Sequence, residues 1–141
     1  MPRFFLITSL GLGRLRPAPG TWGSLLTIVV ATALLAFGID PVSQAWAFNG
    51  ELIGGLVVFS AACVVHGDAA EAHFLRKDPS SVTADETAGQ ALPLLSLPAT
   101  AWESNWRTLF TLVLAFIAFR VLDIIKPWPA NRLQRVPGGW G

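Results

Sequence analysis

Residues 22–39 read WGSLLTIVVATALLAFGI and contain no charged side chain. About 20 mostly apolar residues in a helix cross the roughly 30 Å hydrocarbon core of a bilayer, so this run predicts a membrane-spanning helix. The chain as a whole is also apolar, since 52% of its 141 residues are hydrophobic and only 13% are charged. Soluble domains average about 25% charged residues. The composition therefore favours a membrane protein with a single domain, residues 1–141.

Three further stretches approach the length of a membrane span, namely residues 45–65, 87–102 and 106–125. Pro93 and Pro98 interrupt the middle one, which predicts a bent, re-entrant or partly interfacial segment. No signal-cleavage pattern follows the apolar run in residues 1–10, and we expect an uncleaved segment lying at the membrane interface. The predicted fold class is all-α, a small polytopic membrane bundle with about four membrane segments plus this N-terminal interfacial segment.

The connections between the predicted spans differ in their content of lysine and arginine. Basic residues precede the first span and follow the second and the last: Arg3, Arg14, Arg16, Arg76, Lys77, Lys126, Arg132 and Arg135. Residues 40–44 contain none. Short cytoplasmic loops carry an excess of basic residues, so both ends of the chain are predicted on the cytoplasmic side. The alternative is a compact soluble helical bundle.

Turn-forming residues stand directly before the first span, in the sequence PAPGTWGS at residues 17–24. Thr21 is the predicted N-cap of the helix. A helix N-terminus offers free backbone N–H groups and the positive end of the helix dipole, so phosphate can bind there. Arg14 and Arg16 are close in sequence. The alternative is a turn with a structural role only.

A second motif, TADETAGQ at residues 83–90, brings Asp85 and Glu86 to the start of the third segment. Acidic residues in a first helical turn ordinarily complement the helix dipole. The alternative is a magnesium site, because Mg²⁺ is held by one or two carboxylates together with water and substrate phosphate oxygens. Adjacent helical side chains point in different directions. One carboxylate would then face the ion and the other would orient water.

A third motif, FRVLDIIKPWP at residues 119–129, ends the last span. Arg120, Asp123 and Lys126 recur every three residues and lie near one helical face before Pro127 ends the helix. A charge at the centre of a membrane helix costs about 2.5 to 3.5 kcal/mol, so these groups should face protein or water. They form either a self-neutralising ion pair or a functional set, in which Asp123 is a metal ligand and the cations bind phosphate.

The histidines are expected to have structural or solvated roles, and the cysteine is expected to be a packing residue. His66 and His73 are spaced more widely than the histidines of a typical zinc motif, and Cys63 lies in an apolar run. No Asp-x-Asp, Cys-x5-Arg or Ser-His-Asp set offers a nucleophile, which favours direct attack by water on a phosphate ester.

In order, spacing and identity, the stretches PGTWGSL at 19–25, DETAG at 85–89 and FRVLDIIKPWP at 119–129 resemble the bacterial phosphatidylglycerophosphatase A family. The resemblance covers residues 10–141. It implies a small helical enzyme embedded in the bacterial inner membrane. The distribution of basic residues predicts that its site lies on the cytoplasmic face. Such an enzyme uses Mg²⁺ to remove the terminal phosphate of phosphatidylglycerophosphate, giving phosphatidylglycerol.

On this hypothesis the carboxylates of Asp85, Glu86 and Asp123 are both the catalytic groups and the metal ligands. Substrate phosphate is bound by residues of the first and third motifs: Pro19, Gly20, Thr21, Ser24, Arg120 and Lys126. The partners implied are the phospholipid substrate and the membrane. A net charge of +1 gives no indication of nucleic-acid binding.

Members of the family typically continue beyond a Gly-Gly-x-Gly segment into a pair of aspartates and a further apolar helix, whereas this sequence stops at residues 138–141, GGWG. Two interpretations follow, either a fragment or early-terminated member, or a chain with a reduced carboxylate set. The second admits a catalytically inactive membrane protein that binds anionic lipid headgroups. A soluble helical phosphatase of a small phosphate ester is the other alternative function.

Overall fold

The computed structural model describes residues 4–75, 79–133 and 135. All regular secondary structure in these ranges is helical, as predicted. The helices are α1 Pro19–Ala36, α2 Ala45–Phe74, α3 Ala84–Gly89, α4 Ala91–Leu95, α5 Asn105–Ile125 and α6 Ala130–Leu133, with short 3-10 helices at Leu12–Arg14 and Ala99–Trp102. The expectations placed on Arg3, Arg76, Lys77 and residues 138–141 lie outside the described residues.

Three helices, α1, α2 and α5, are long and apolar enough to cross a membrane. Their most apolar windows have mean hydropathies of 1.5, 1.8 and 2.2, yet only 28%, 17% and 11% of those windows is buried inside the protein. Most side chains that α5 leaves exposed are apolar, among them Leu109, Phe110, Val113, Leu114 and Ile117. A surface of this kind suits lipid rather than water, which favours a membrane protein over the soluble bundle.

The prediction of four membrane segments is not confirmed, because residues 87–102 form no long helix. Short helices α3 and α4 and the 3-10 helix Ala99–Trp102 occupy this region. Pro98 has an extended backbone, with φ −71° and ψ 156°, and separates α4 from the 3-10 helix. The segment begins beside the start of α1 and ends where the Trp102 ring meets Phe48, near the start of α2, at 5.4 Å between centroids. A broken helix can lie at membrane depth when protein surrounds it.

The expectation of an interfacial N-terminal segment is also not confirmed for residues 4–10. Ile7, Thr8 and Ser9 are fully buried, although flanking apolar side chains remain exposed. The carbonyl oxygen of Ile7 accepts hydrogen bonds from the backbone N–H groups of Thr83, at 3.0 Å, and Ala84, at 3.2 Å. The segment thus provides acceptors for backbone N–H groups at the start of α3, which helix geometry leaves without partners.

Two buried clusters hold the bundle together. The larger joins α1, α2, α4 and α5 through Ala31, Phe48, Leu52, Ala91, Leu94, Leu112 and Ala115. The smaller contains Ile7, Cys63, Ala70 and Ala84, so the packing role expected of Cys63 is confirmed. Small residues are frequent in both clusters, as is typical where membrane helices approach closely.

Candidate active site

The first turn of α1 differs in one respect from the prediction. The helix begins at Pro19, a residue favoured at the first helical position because its missing N–H needs no partner there. Ala18 therefore occupies the N-cap position, in a left-handed conformation with φ 56°, and provides no side-chain cap. Thr21, the predicted N-cap, lies inside the first turn and its N–H bonds to the carbonyl of Ala18 at 3.0 Å.

Gly20 brings the α1 backbone into direct contact with the other two motifs. A methyl group at this position would lie 3.0 Å from Glu86 Cδ, 3.1 Å from Arg120 Nη2 and closer still to Glu86 Oε1. Only a residue without a side chain permits that approach. The start of α1, the acidic pair of α3 and the end of α5 therefore meet around one glycine.

Arg120 links the motifs through its guanidinium group. Nη1 donates to Asp123 Oδ2 at 2.8 Å and to Ser24 Oγ at 3.4 Å. The side chains of Arg120 and Asp123 are 15% and 21% exposed, so this ion pair lies at the edge of the protein interior. The ion pair between Arg120 and Asp123 that the spacing predicts is present, and it lies beside Glu86.

Glu86 is an acid that its surroundings perturb strongly. The pKa of its carboxyl is raised from 4.5 to about 9, mainly by burial and also by the neighbouring Asp85 and Asp123, while Arg120 opposes the shift. Its Oε2 is buried without a hydrogen-bond partner. An unpaired buried polar group costs about 1 to 3 kcal/mol, and more when it is charged. Both observations describe a carboxyl group whose negative charge the protein does not compensate, so that a proton or a bound cation would stabilise it.

The remaining predicted residues flank this centre. Pro19 and Thr21 are half-buried in the first turn of α1, and Asp85 is exposed beside Glu86. Lys126 follows the last turn of α5 with φ 45° and makes no ion pair within the described ranges. Among the residues that the structure describes, no three His, Cys, Asp or Glu side chains are grouped closely enough to form a metal site.

Sequence reasoning missed a buried hydroxyl network beneath the site. Thr83 donates to Ser9 at 2.9 Å, Ser9 is 2.6 Å from Thr87 Oγ1, and Thr87 donates to the carbonyl of Gly23 at 2.8 Å. Thr27 donates to the carbonyl of Thr87 at 2.6 Å. These bonds fix α3 against α1 and the N-terminal segment. The four-residue spacing of Thr83 and Thr87 was the signal available in the sequence.

An arginine and three acidic side chains meet beside a helix N-terminus on a bundle of membrane-length apolar helices, an arrangement that suits a phosphate-ester hydrolase. The comparison with protein families shows which kind of hydrolase this is. The chain belongs to the phosphatidylglycerophosphatase A family, whose model matches residues 5–141. It is accordingly a phosphoric monoester hydrolase of phospholipid metabolism.

The chain aligns with individual relatives over most of their length. The chain is 29% identical to phosphatidylglycerophosphatase A of Haemophilus influenzae, over 99% of this chain and 77% of the relative. It is 30% identical to phosphatidylglycerophosphatase A of Escherichia coli, over 99% and 72%. A Bacteroides thetaiotaomicron protein provisionally named phosphatidylinositol-3-phosphatase is 32% identical, over 95% and 77%. No solved structure matches the chain.

Proposed function

We propose that the protein is a Mg²⁺-dependent phosphatase that hydrolyses the terminal phosphate of phosphatidylglycerophosphate to give phosphatidylglycerol. The observation that supports this most is the meeting of Gly20, Glu86 and Arg120, which unites three motifs distant in sequence. Relatives with this name and the family match support the substrate.

Phosphate would bind where the cationic groups and the α1 N-terminus come together. Arg120 already contacts Ser24 in the second turn of α1, so an anion on its guanidinium would lie beside the positive end of the helix. Lys126 follows on the same end of α5 and adds a second positive charge. Pro19, Gly20 and Thr21 form the backbone of the cradle.

The carboxylates fit a magnesium ion in their chemistry. Glu86 has a buried oxygen without a partner, and Asp85 and Asp123 both interact with it electrostatically. Mg²⁺ needs only one or two protein carboxylates when water and substrate oxygens complete its shell, so a cluster of three ligands is not required. The ion would supply charge neutralisation for the phosphoryl oxygens.

The protein groups then account for the hydrolysis. A carboxylate of the acidic pair that is not bound to the ion would orient a water molecule and accept its proton. The water oxygen bonds to phosphorus, the ester bond to the glycerol oxygen breaks, and that oxygen takes a proton from solvent. Arg120 would stabilise the charge on the phosphoryl group throughout. Cys63 is not needed as a nucleophile because it is packed in the small core cluster.

The site is proposed to face the bacterial cytoplasm. Arg14, Arg16, Arg132 and Arg135 belong to the end of the molecule that carries the site, whereas the α1–α2 connection at residues 40–44 has no basic residue. The positive-inside rule places the basic end in the cytoplasm. The acyl chains of a phospholipid could then remain in the bilayer while its headgroup enters the site.

The test is phosphate release by the purified protein in lipid nanodiscs. We expect turnover of phosphatidylglycerophosphate with Mg²⁺ and none with EDTA. Arg120→Gln should abolish most of it, whereas Arg107→Gln serves as the matched control, because Arg107 pairs with Glu103 in an exposed ion pair at the other end of α5. Phosphatidylinositol 3-phosphate is the comparison substrate, suggested by the Bacteroides relative. Lipid binding without any turnover would contradict the proposal in favour of the inactive headgroup binder.

A further inference from the structure

The buried polar atoms that lack a partner are concentrated in one place. In the described part of the chain, every such side-chain atom belongs to Glu86, Gln90 or Arg120. Glu86 and Arg120 both contact Gly20 and already belong to the proposed site. Gln90 does not, although it is fully buried and both its Nε2 and Oε1 lack a partner. Buried amides are almost always hydrogen-bonded, so this exception requires an explanation.

The backbone places Gln90 on the same side of its helix as Glu86. Gln90 has helical dihedrals, φ −64° and ψ −20°, and its N–H bonds to the carbonyl of Glu86 at 3.1 Å. The helical path therefore continues from α3 through Gln90 into α4. Residues four apart lie on one face, one turn above the other. Gln90 thus follows Glu86 one turn further into the bundle.

The facing helix has a matching arrangement. Thr87 bonds to Gly23 and Thr27 of α1, and Ala91 shares a core cluster with Ala31, so the chain from α3 into α4 follows α1 in the same direction. Ser24, which Arg120 contacts, lies one turn after Gly20. Gln90 is therefore placed at the deeper level of the site, level with the second turn of α1 rather than the first.

We propose that Gln90 is a substrate-binding residue whose side-chain amide binds the phosphate-ester headgroup on the membrane side of Glu86. The inference rests on the proposed function for the identity of the substrate. An amide is neutral and carries both donors and an acceptor. It can donate to a phosphate oxygen or accept from a glycerol hydroxyl without adding charge to a site already rich in carboxylates. Its partners would arrive with the substrate, which explains why they are absent from the protein.

The experiment compares Gln90→Leu and Gln90→Met with the wild-type protein. Both variants remove the amide, and methionine keeps the unbranched shape of glutamine. Because the amide has no partner in the free protein, we expect the melting temperature in detergent to stay the same or rise. KM should increase about 10-fold or more, the effect of losing a hydrogen bond to a charged group. Gln44→Leu is the matched control, since Gln44 donates to Gly38 at the opposite end of α1.

A binding measurement separates the two sources of the ligand chemistry. Inorganic phosphate and glycerol 3-phosphate should each raise the melting temperature of the wild-type protein in the presence of Mg²⁺. Loss of both shifts in the Gln90 variants would show contact with phosphate, and loss of the glycerol 3-phosphate shift alone would show contact with the glycerol hydroxyls. Either supports the proposal.

Two results would overturn it. Both variants could melt at a lower temperature with unchanged KM and ligand shifts, which would make Gln90 structural, or they could match the wild-type protein throughout. The proposed activity fails separately, if the wild-type protein releases no phosphate while the variants still lose the ligand-induced shift.

Discussion

The chemistry of single residues centres on a carboxylate whose charge the protein neutralises incompletely. Glu86 has one guanidinium nearby, but Asp85 and Asp123 also act on it, and Arg120 is already engaged by Asp123 at 2.8 Å. Three acids therefore share one close cation. In a partly buried site such an imbalance favours either a bound proton or a bound metal ion. The two states have different consequences for activity and for stability.

Removing the charge of any one acid should impair catalysis. We expect Asp85→Asn, Glu86→Gln and Asp123→Asn each to lower kcat by about 100-fold or more, the usual contribution of a positioned acid or base. Phosphate release and circular dichroism measured on the same preparations separate activity from folding. Glu103→Gln is the control, because Glu103 is exposed and pairs with Arg107 far from the site. Three variants with normal rates would refute the assignment of the site.

The pKa of Glu86 predicts how stability depends on pH. With a pKa of about 9 in the fold against 4.5 normally, the folded protein holds a proton that the unfolded chain loses. The free energy of unfolding should therefore fall as pH rises from about 4.5 to 9. Melting experiments in detergent with EDTA measure the slope. Glu86→Gln should flatten it, and so should Mg²⁺ acting on the wild-type protein. Stability that increases over this range would contradict the prediction.

Among the structural elements, the sequence predicts best those features that depend on residues close together in the chain. The charge-free run gave α1, the spacing of Arg120 and Asp123 gave their ion pair, and the three motifs do meet. The interruption of residues 87–102 was predicted from Pro93 and Pro98, although Pro93 lies within α4. The burial of Ile7 was not predicted, because it depends on partners distant in sequence. Thr21 was misassigned because Pro19 starts the helix earlier than threonine capping preferences suggest.

Replacing single glycines by alanine tests whether the close approach at the start of α1 matters. Gly20→Ala would drive a methyl group against Glu86 and Arg120, so we expect activity to fall at least 10-fold and the melting temperature to drop. Gly54→Ala on α2 is the comparison, since nothing lies within 4 Å of a methyl group there. That variant should keep full activity and gain up to about 1 kcal/mol from its helix propensity. Equal behaviour of the two variants would show that the close contact at Gly20 is unimportant.

Across the whole molecule, the candidate site lies at one end of an apolar bundle. Trp22 and Trp128 lie at that end, and Trp46 and Trp106 lie at the starts of α2 and α5, at the other. Their exposed fractions are 37%, 74%, 82% and 73%. Indole rings prefer the headgroup region, so the two pairs mark two interfaces separated by the length of the helices. On the proposed function, the site then lies where a lipid headgroup is found.

This arrangement predicts which loops can be reached from each side of the membrane. In a Cys63→Ala background, Val42→Cys labels the connection between α1 and α2, and Ser80→Cys labels the connection before α3. Both positions are exposed. We expect a membrane-impermeant maleimide to modify the Val42→Cys protein in intact spheroplasts, because residues 40–44 carry no basic charge. Ser80→Cys should react only after the membrane is made permeable, since it lies at the end that carries the site. Labelling of Ser80→Cys from outside would place the acidic pair on the outer face and contradict the proposed orientation.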